Sequence, residues 1–462
     1  MAAAAESTAD QFRSKYQQDY DRLLFSTPVR RLSDKTQVWP MDANDGVRTR
    51  LTHSHEVANL ARSIGTRIYK GAPTAFAGAD LHEVVQPILL AIGLAHDLGN
   101  PPFGHQGETA IKAWFSARKK WIFTNRIDGG EGLPTSIDEK LRLEFLKFDG
   151  NPQSLRLLTK LQTSVAHVGL DLTAATLSAS LKYPVGAAGY DKNKSIRKKI
   201  GYSESERSVV EWFRRETGLD EGQRHPLTWI MEACDDIAYS VLDVDDAMKK
   251  GVVSPDDVFS VLTANPLVKD HAALTKLAKQ FEKARDAQHR PEIARDIKIG
   301  YFRATMLDAL VAEASGSFAD QQKVIMNLGE ATPLMDVSAL CKALKAVAQQ
   351  YAFAHSDVLK MEAFGAAAID GLLGRFWSAI DNREEYDDLL SPRTSPIDKY
   401  VFALISPNYL ESAVRAGEGG GPAASIRYRE LRLLTDMVSG MTDSFTIKLW
   451  NQLKEFDDTP RS

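Results

Sequence analysis

Residues 81–105, LHEVVQPILLAIGLAHDLGNPPFGH, decide the class of fold. Apolar residues recur in this stretch at helical rather than alternating spacing, which predicts a helix that closes on the adjacent pair His96 and Asp97. Gly99, Pro101 and Pro102 then stop helical propagation. The same period runs outward through LTHSHEVANLARSIGTRIYK (51–70), HPLTWIMEACDDIAYSVLDVDDAMKKG (225–251) and RDIKIGYFRATMLDALVAEA (295–314). It continues in SALCKALKAVAQQYAFA (338–354) and in ELRLLTDMVSGMTDSFTIKLW (430–450). Strand signals are confined to QVWP (37–40) and GAAGY (186–190), so the fold is expected to be mainly α with at most a small β-hairpin. No fixed-period repeat is present.

The chain has 462 residues, 44% hydrophobic and 26% charged, enough apolar material for a large core and unlike a disordered or fibrous composition. Three segments read as surface loops: DGGEGLPTS (128–136), GAAGYDKNKSIRKK (186–199) and GEGGGPAAS (417–425). None resembles a long linker, so one continuous body over 1–462 is expected. Two cysteines, Cys234 and Cys341, cannot build a disulfide framework, and the opening MAAAAESTADQFRSKY lacks basic and apolar targeting regions. A cytoplasmic protein is expected. The longest apolar stretch, VVQPILLAIGLA, falls short of the ~20 residues a membrane helix needs, so no span is expected. Formal net charge is −4, from 57 basic and 61 acidic residues, which gives no whole-molecule attraction to nucleic acid. Locally, KNKSIRKK (192–199) holds five Lys or Arg in eight residues. It reads as a solvated loop, with anion or nucleic-acid binding as the alternative.

The first chemical signal is histidine clustering: His53, His55, His96 and His105 fall within about fifty residues, and Asp97 follows His96 directly. His53 and His55 are two apart on a predicted helix and face different ways, so at most one joins a common site, and His53 is the better choice. His55 is expected near the site's outer edge or at the surface. An H-x-H metal motif of the amidohydrolase type normally follows a buried strand, which RTRLT does not resemble. No H-E-x-x-H is present, which removes the common zinc-protease reading. Another ligand can come from 231–247, where Asp235, Tyr239 and Asp243 share one helical face. Such acids can form a solvated face, but Ile237, Ala238, Val241 and Leu242 around them are apolar, so the stripe needs partners. A mixed His/Asp set suits Mn, Fe, Zn or Mg-like ions without choosing among them.

Together, His53, His96-Asp97 and Asp235 match the H…HD…D pattern of the HD-domain metal-dependent phosphohydrolases. The blocks RRLSDKTQVWP (30–40), VRTRLTHSHEVANLARSIG (47–65), GLAHDLGNPPFGHQGE (93–108), GLDLTAATLSASLKYP (169–184), MEACDDIAYSVLDVDDA (231–247) and SGMTD (439–443) narrow the match. They resemble the deoxyguanosinetriphosphate triphosphohydrolase (dGTPase) family over nearly the whole chain. The resemblance implies an HD-domain helical fold, with residues 25–250 as the catalytic core. Residues 251–462 would form a helical part completing the pocket and the oligomer interfaces.

The implied reaction is hydrolysis of a dNTP, dGTP being the family's named substrate, at the α-phosphorus to a deoxynucleoside and tripolyphosphate. The implied metal ligands are His53, His96, Asp97 and Asp235, holding Mn²⁺ or Mg²⁺. His105 would act in acid/base catalysis with Glu108 orienting it, one helical turn away. Tyr239 and Asp243 resemble residues that meet the deoxyribose and its 3′-hydroxyl, Gln37 a polar residue at the sugar, and Arg50 a phosphate-binding arginine. Asn151, Gln153, Arg156, Lys182 and Tyr183 fall in blocks that line the family pocket. Arg427 and Arg429 read as surface or interface residues. At DGNPQ (149–153) the chain departs from the family by carrying Pro152 where a small residue is usual, which predicts a reshaped turn. Family likeness also implies a homo-oligomer, a hexamer being favoured, and regulation by single-stranded DNA through the basic loop 186–199. The competing readings are another HD-domain hydrolase, acting on a cyclic nucleotide, an alarmone or a nucleoside monophosphate, and a non-catalytic nucleic-acid-binding regulator.

Overall fold

The helix that closes on His96 is apolar on every side because it lies between two cores. This helix, residues Gln86–Ala95, sends Ile88, Leu89 and Ile92 into one apolar cluster and Ala91, Leu94 and Ala95 into another. A helix hydrophobic all round has to be buried all round, and two cores meet that requirement. Each fully buried Leu, Ile or Phe in them contributes about 1.5–3 kcal/mol.

The computed structural model describes residues 13–41, 46–124, 137–162, 168–287 and 289–458. The expected loop at 128–136 lies outside them. Ten helices bear on the argument: α1 (Arg50–Gly71), α2 (Gln86–Ala95), α3 (Gly104–Arg118), α4 (Gly150–Thr159), α5 (Pro226–Lys249), α6 (Pro291–Met326), α7 (Ala339–Ala348), α8 (Ser356–Asp381), α9 (Ile426–Ser439) and α10 (Asp443–Asp458). The first core joins α1, α2, α5, α6 and α7; the second joins α2, α3, α8 and α9. Both draw residues from either side of position 250. Among the described residues no helix is long and apolar enough to cross a membrane.

The fold is all-helical among the described residues, apart from isolated bridges between Thr36 and Thr49 and between Arg383 and Arg393. The allowance for a hairpin goes unused: 37–40 is bent chain, and Ala187–Gly189 is a 3₁₀ turn. Local signals explain the helix starts. Thr49 and Thr52 form a reciprocal cap on α1, Asp149 caps α4 by accepting from the Asn151 N–H, and Pro226 sits in the first turn of α5 after a His225 cap. Pro152 does not reshape a turn. It occupies the first turn of α4, where its missing N–H would have had no partner.

At the C-terminal end the reading of Arg427 as a surface or interface residue needs correction. Arg427 is fully buried over the Trp377 ring, within 3.2 Å of Glu430 and 3.6 Å of Asp381. Arg429 is half-buried and donates to the carbonyls of Ala424 and Ala413. Arg427 is therefore not a surface residue, whereas Arg429 stays partly exposed; together they hold the start of α9 against α8 and the preceding segment.

Candidate active site

Close approach of α1 and α2 creates the site. A Cβ on Gly93 would lie 2.5 Å from the Ala58 backbone, so the two helices cross where one residue has no side chain. That crossing sets His53, one turn before Ala58, against His96, one turn after Gly93, with ring centroids 5.5 Å apart. From the other side α5 brings Asp235, whose Oδ1 is 3.7 Å from His53 Nε2 and 3.6 Å from His96 Nε2. Ligand atoms of these three residues lie within 4.8 Å of one another. His96 Nδ1 faces the Gly93 carbonyl at 2.7 Å and must donate to it, so in the neutral ring the lone pair sits on Nε2. That nitrogen is buried and has no hydrogen-bond partner, as expected of a metal ligand whose other ring nitrogen is anchored to the backbone.

Asp97 stands beside the three rather than among them. Its Oδ1 is 3.6 Å from His96 Nε2 and accepts from Asn100, while Oδ2 accepts from Arg50. Burial works to raise its pKa, but Arg50 and the two histidines hold it well below the carboxylate range. Burial acts likewise on Asp235, and Lys182, 2.9 Å away, together with His53 and His96 outweighs it, so this carboxyl is also ionised. His96 shows the counterpart: burial lowers its proton affinity, and Asp97 with Asp235 more than reverses this.

These groups open on a cavity of about 260 Å³. Gln37, Arg50, Asn151, Lys182, Tyr183 and Tyr239 line it, as do His105 and Glu108. Arg50 is buried yet keeps Nε without a partner, and a Cβ on Gly104 would come within 2.3 Å of its Nη2, so Gly104 makes its room. Tyr239 is stacked on Phe353 with ring centroids 5.2 Å apart, and its pKa is pushed up to about 12 by burial and then by Asp243.

Asp243, one turn beyond Tyr239, does not line the cavity. It is fully buried, neither oxygen has a hydrogen-bond partner, and burial followed by Asp246 raises its pKa well above the carboxylate range. His105 is exposed on the cavity wall. The His105–Glu108 pairing is not formed: Glu108 accepts from the Gly150 N–H at 2.8 Å and approaches Lys112 at 3.4 Å, so it ties α3 to the start of α4.

Two expected pocket residues point elsewhere. Gln153 donates to Asp436 at 2.9 Å, and Arg156 is held by Asp436 and Glu206 at 2.6–2.9 Å in a buried network between α4 and α9. Both leave the cavity because α4 turns that face toward α9. His55 is exposed. Sequence reading missed Lys199, Lys345 and Phe353, which also line the cavity. Lys199 is the last residue of the basic run and pairs with Asp149 at 2.5 Å; Lys345 pairs with Asp236 at 2.7 Å. The aromatic-polar run QQYAF, which forms a π-helical turn ending at Phe353, was the available signal for that segment.

Comparison with known proteins agrees with this arrangement. The HD domain family matches residues 50–133. A deoxyguanosinetriphosphate triphosphohydrolase-like protein of Listeria monocytogenes is 32% identical over 96% of this chain and 94% of its own length. A deoxyguanosinetriphosphate triphosphohydrolase of Klebsiella pneumoniae is 30% identical over 95% of this chain and 93% of its own. A probable deoxyguanosinetriphosphate triphosphohydrolase of Pseudomonas aeruginosa is 32% identical over 92% and 90%. With likeness of this extent over nearly the whole length, and the histidine–aspartate group that its HD segment builds with α5, the chain belongs to the deoxyguanosinetriphosphate triphosphohydrolase family.

Proposed function

We propose that this protein is a metal-dependent deoxynucleoside triphosphate triphosphohydrolase, converting a dNTP, dGTP among them, and water to a deoxynucleoside and tripolyphosphate. One observation carries the reading. Among the described residues, several of the buried polar atoms without hydrogen-bond partners lie at or beneath one cavity: Gln37 Oε1, Arg50 Nε and His96 Nε2 on its lining, His53 Nδ1 and both oxygens of Asp243 behind it. Buried polar groups are ordinarily paired, so such a collection marks where a ligand supplies the partners. The chemistry of the atoms suits a dNTP and an ion: imidazole and carboxylate for a cation, guanidinium for phosphate, and a buried carboxyl with an aromatic face for a sugar hydroxyl.

In this reading His53, His96 and Asp235 hold the ion, Mn²⁺ or Mg²⁺, with Asp97 as the fourth ligand. When bound, the ion supplies polarisation of a phosphoryl oxygen and a more acidic water. Arg50, Lys182 and Lys199 balance the charge of the triphosphate, and Tyr239 packs on the deoxyribose above Asp243. Gln37, Asn151 and Tyr183 complete the enclosure. The bond formed joins water oxygen to the α-phosphorus, and the bond broken is that between phosphorus and O5′. The departing O5′ needs a proton, and His105, exposed on the wall, is the acid that delivers it. The close Tyr239–Asp243 stripe favours deoxyribose over the substrates of other HD hydrolases. Family likeness supports a homo-oligomer, with a hexamer favoured, and a cytoplasmic location. Exposed Lys192, Lys194 and Lys198, beside Lys199, support single-stranded DNA as a regulator.

Incubation with Mn²⁺ or Mg²⁺ and each dNTP and rNTP, followed by anion-exchange separation, tests the reading. Deoxynucleoside with tripolyphosphate is the expected product pair; monophosphate with pyrophosphate, or no cleavage with mixed dNTPs and DNA present, counts against it.

A further inference from the structure

The motif SGMTD (439–443) lies outside the cavity, yet its last residue reaches the turn from which His105 emerges. Asp443 is 1% exposed. Its Oδ1 accepts from the Phe103 backbone N–H at 2.9 Å; its Oδ2 accepts from the Thr36 N–H at 2.9 Å and from the Thr36 hydroxyl. Lys35 next door donates to the carbonyls of Asn100 and Ser439, and Ser444 donates to Asp34 at 2.8 Å. Three stretches far apart in sequence, 34–36, 100–103 and 439–444, are therefore tied together, the Asp443 and Lys35 bonds by buried side chains and the Ser444 bond at the surface.

The backbone they hold is unfavourable by itself. Phe103 has φ of 59°, in the left-handed region that a bulky L residue rarely adopts, and Gly104 follows at 55°. Two contacts fix Phe103: Asp443 on its N–H, and Gly365 of α8 under its ring, where a Cβ would lie 2.5 Å away. The consequences reach the site directly. Gly104 leaves the room that Arg50 occupies, and His105 is the next residue on α3.

We propose that Asp443 is a positioning residue of the active site, acting through Phe103 and Gly104 on the direction of His105. A carboxylate is the side chain for the task, because it accepts from three donors at once and offers none. Asparagine keeps an oxygen for Phe103 but turns an amide toward the Thr36 N–H; alanine loses all three bonds. The proposal rests on the acid/base role assigned to His105, and the test separates the two.

Asp443→Ala, Asp443→Asn, His105→Ala and the Asp443→Ala/His105→Ala double variant are compared in dNTP turnover, Mn²⁺ binding by equilibrium dialysis, and amide exchange over 98–107. Misplacing a catalytic group by about 1 Å costs roughly 100-fold, so Asp443→Ala should lower kcat by about that factor while KM and Mn²⁺ affinity stay within about threefold. Asp443→Asn should recover much of the loss, amides 103–105 should exchange faster in Asp443→Ala, and the double variant should be no slower than His105→Ala. Wild-type kcat in folded Asp443→Ala beside an inactive His105→Ala would overturn the positioning role alone; so would losses that multiply in the double variant. Full activity of His105→Ala would remove the acid/base assignment and this proposal with it. Should Asp443→Ala fail to fold, Thr36→Val removes only the hydroxyl contact. A smaller kcat-selective loss, again absent in the His105→Ala background, supports the proposal, and no loss or a multiplying one overturns it.

Discussion

Arg50 and Arg156 are both buried, at 4% and 3% exposure, and both face carboxylates, yet their surroundings differ in kind. Every nitrogen of Arg156 has an acceptor: Nε and Nη2 on Asp436, Nη1 on Glu206 and Ser205. Arg50 keeps Nε unpartnered at a cavity. The contrast extends to their regions. Around Arg156, Glu144 takes hydrogen bonds from Tyr428, Arg432 and the Glu204 N–H, and the network binds α9 to the α4 side of the fold. Around Arg50, His96 and Asp243 are left with open hydrogen-bonding capacity. Burial and charge alone do not separate a structural cluster from a functional one; open capacity facing the cavity does, since Gln153 Oε1 and Arg432 Nε are also unpartnered but do not line it.

The sharpest way to break this comparison is at the histidine–aspartate group. Asp235→Ala or His96→Ala is expected to lower turnover on the order of 10³-fold or more and to abolish tight Mn²⁺ binding, while circular dichroism remains native. Retained Mn²⁺ affinity in both would put the ion elsewhere. Next come the two arginines. Arg156→Ala leaves Asp436 and Glu206 buried without their cation and should cost about 3–5 kcal/mol in urea unfolding, with turnover per folded molecule little changed. Arg50→Ala should instead lower kcat/KM for a dNTP roughly 100-fold with a smaller stability loss. The reverse pattern would dissolve the distinction.

A finer effect concerns the sugar. Tyr239→Ala should raise KM roughly tenfold and narrow the preference for dGTP over GTP, and unchanged selectivity would remove this stripe from sugar readout. The smallest effect lies at the cap of the helix that carries the stripe. His225 Nδ1 accepts from the Leu227 N–H at 3.2 Å, and burial pushes its pKa down to about 4 from 6.5. Between those values the unfolded chain binds the extra proton, so this contribution is full above about pH 6.5 and is lost as pH falls toward 4. Asparagine caps without titrating there. His225→Asn should therefore lose about 3 kcal/mol less than wild type between pH 7 and 4, measured by urea unfolding without metal.

Most of the helical class and the histidine–aspartate group was legible in the sequence, because period and motif are local properties. The helix ending at His96, the break after it and the Asp235–Tyr239 face are each contained in a couple of turns. What was not legible depended on distant partners. Gln153 and Arg156 read like Arg50 until Asp436, 280 residues beyond Arg156, is seen to engage them. Arg427 looks like a surface residue until Asp381 and Glu430 surround it. Lys345 and Phe353 reach the cavity from a segment about a hundred residues past Asp235 whose one signal, the run QQYAF, does not by itself point to a site. The failed His105–Glu108 pairing has the same cause: helical spacing permits it, and the Gly150 N–H, brought in by tertiary structure, takes the carboxylate instead.

The most direct test of the account is a crystal structure with Mn²⁺ and a non-hydrolysable dGTP analogue, the ion located by its anomalous scattering. The account predicts the ion on His53, His96 and Asp235, the deoxyribose against Tyr239 with its 3′-hydroxyl on Asp243, and phosphate oxygens at Arg50 Nε. An ion bound away from these residues, or an analogue that leaves Asp243 and Arg50 Nε without partners, would contradict it.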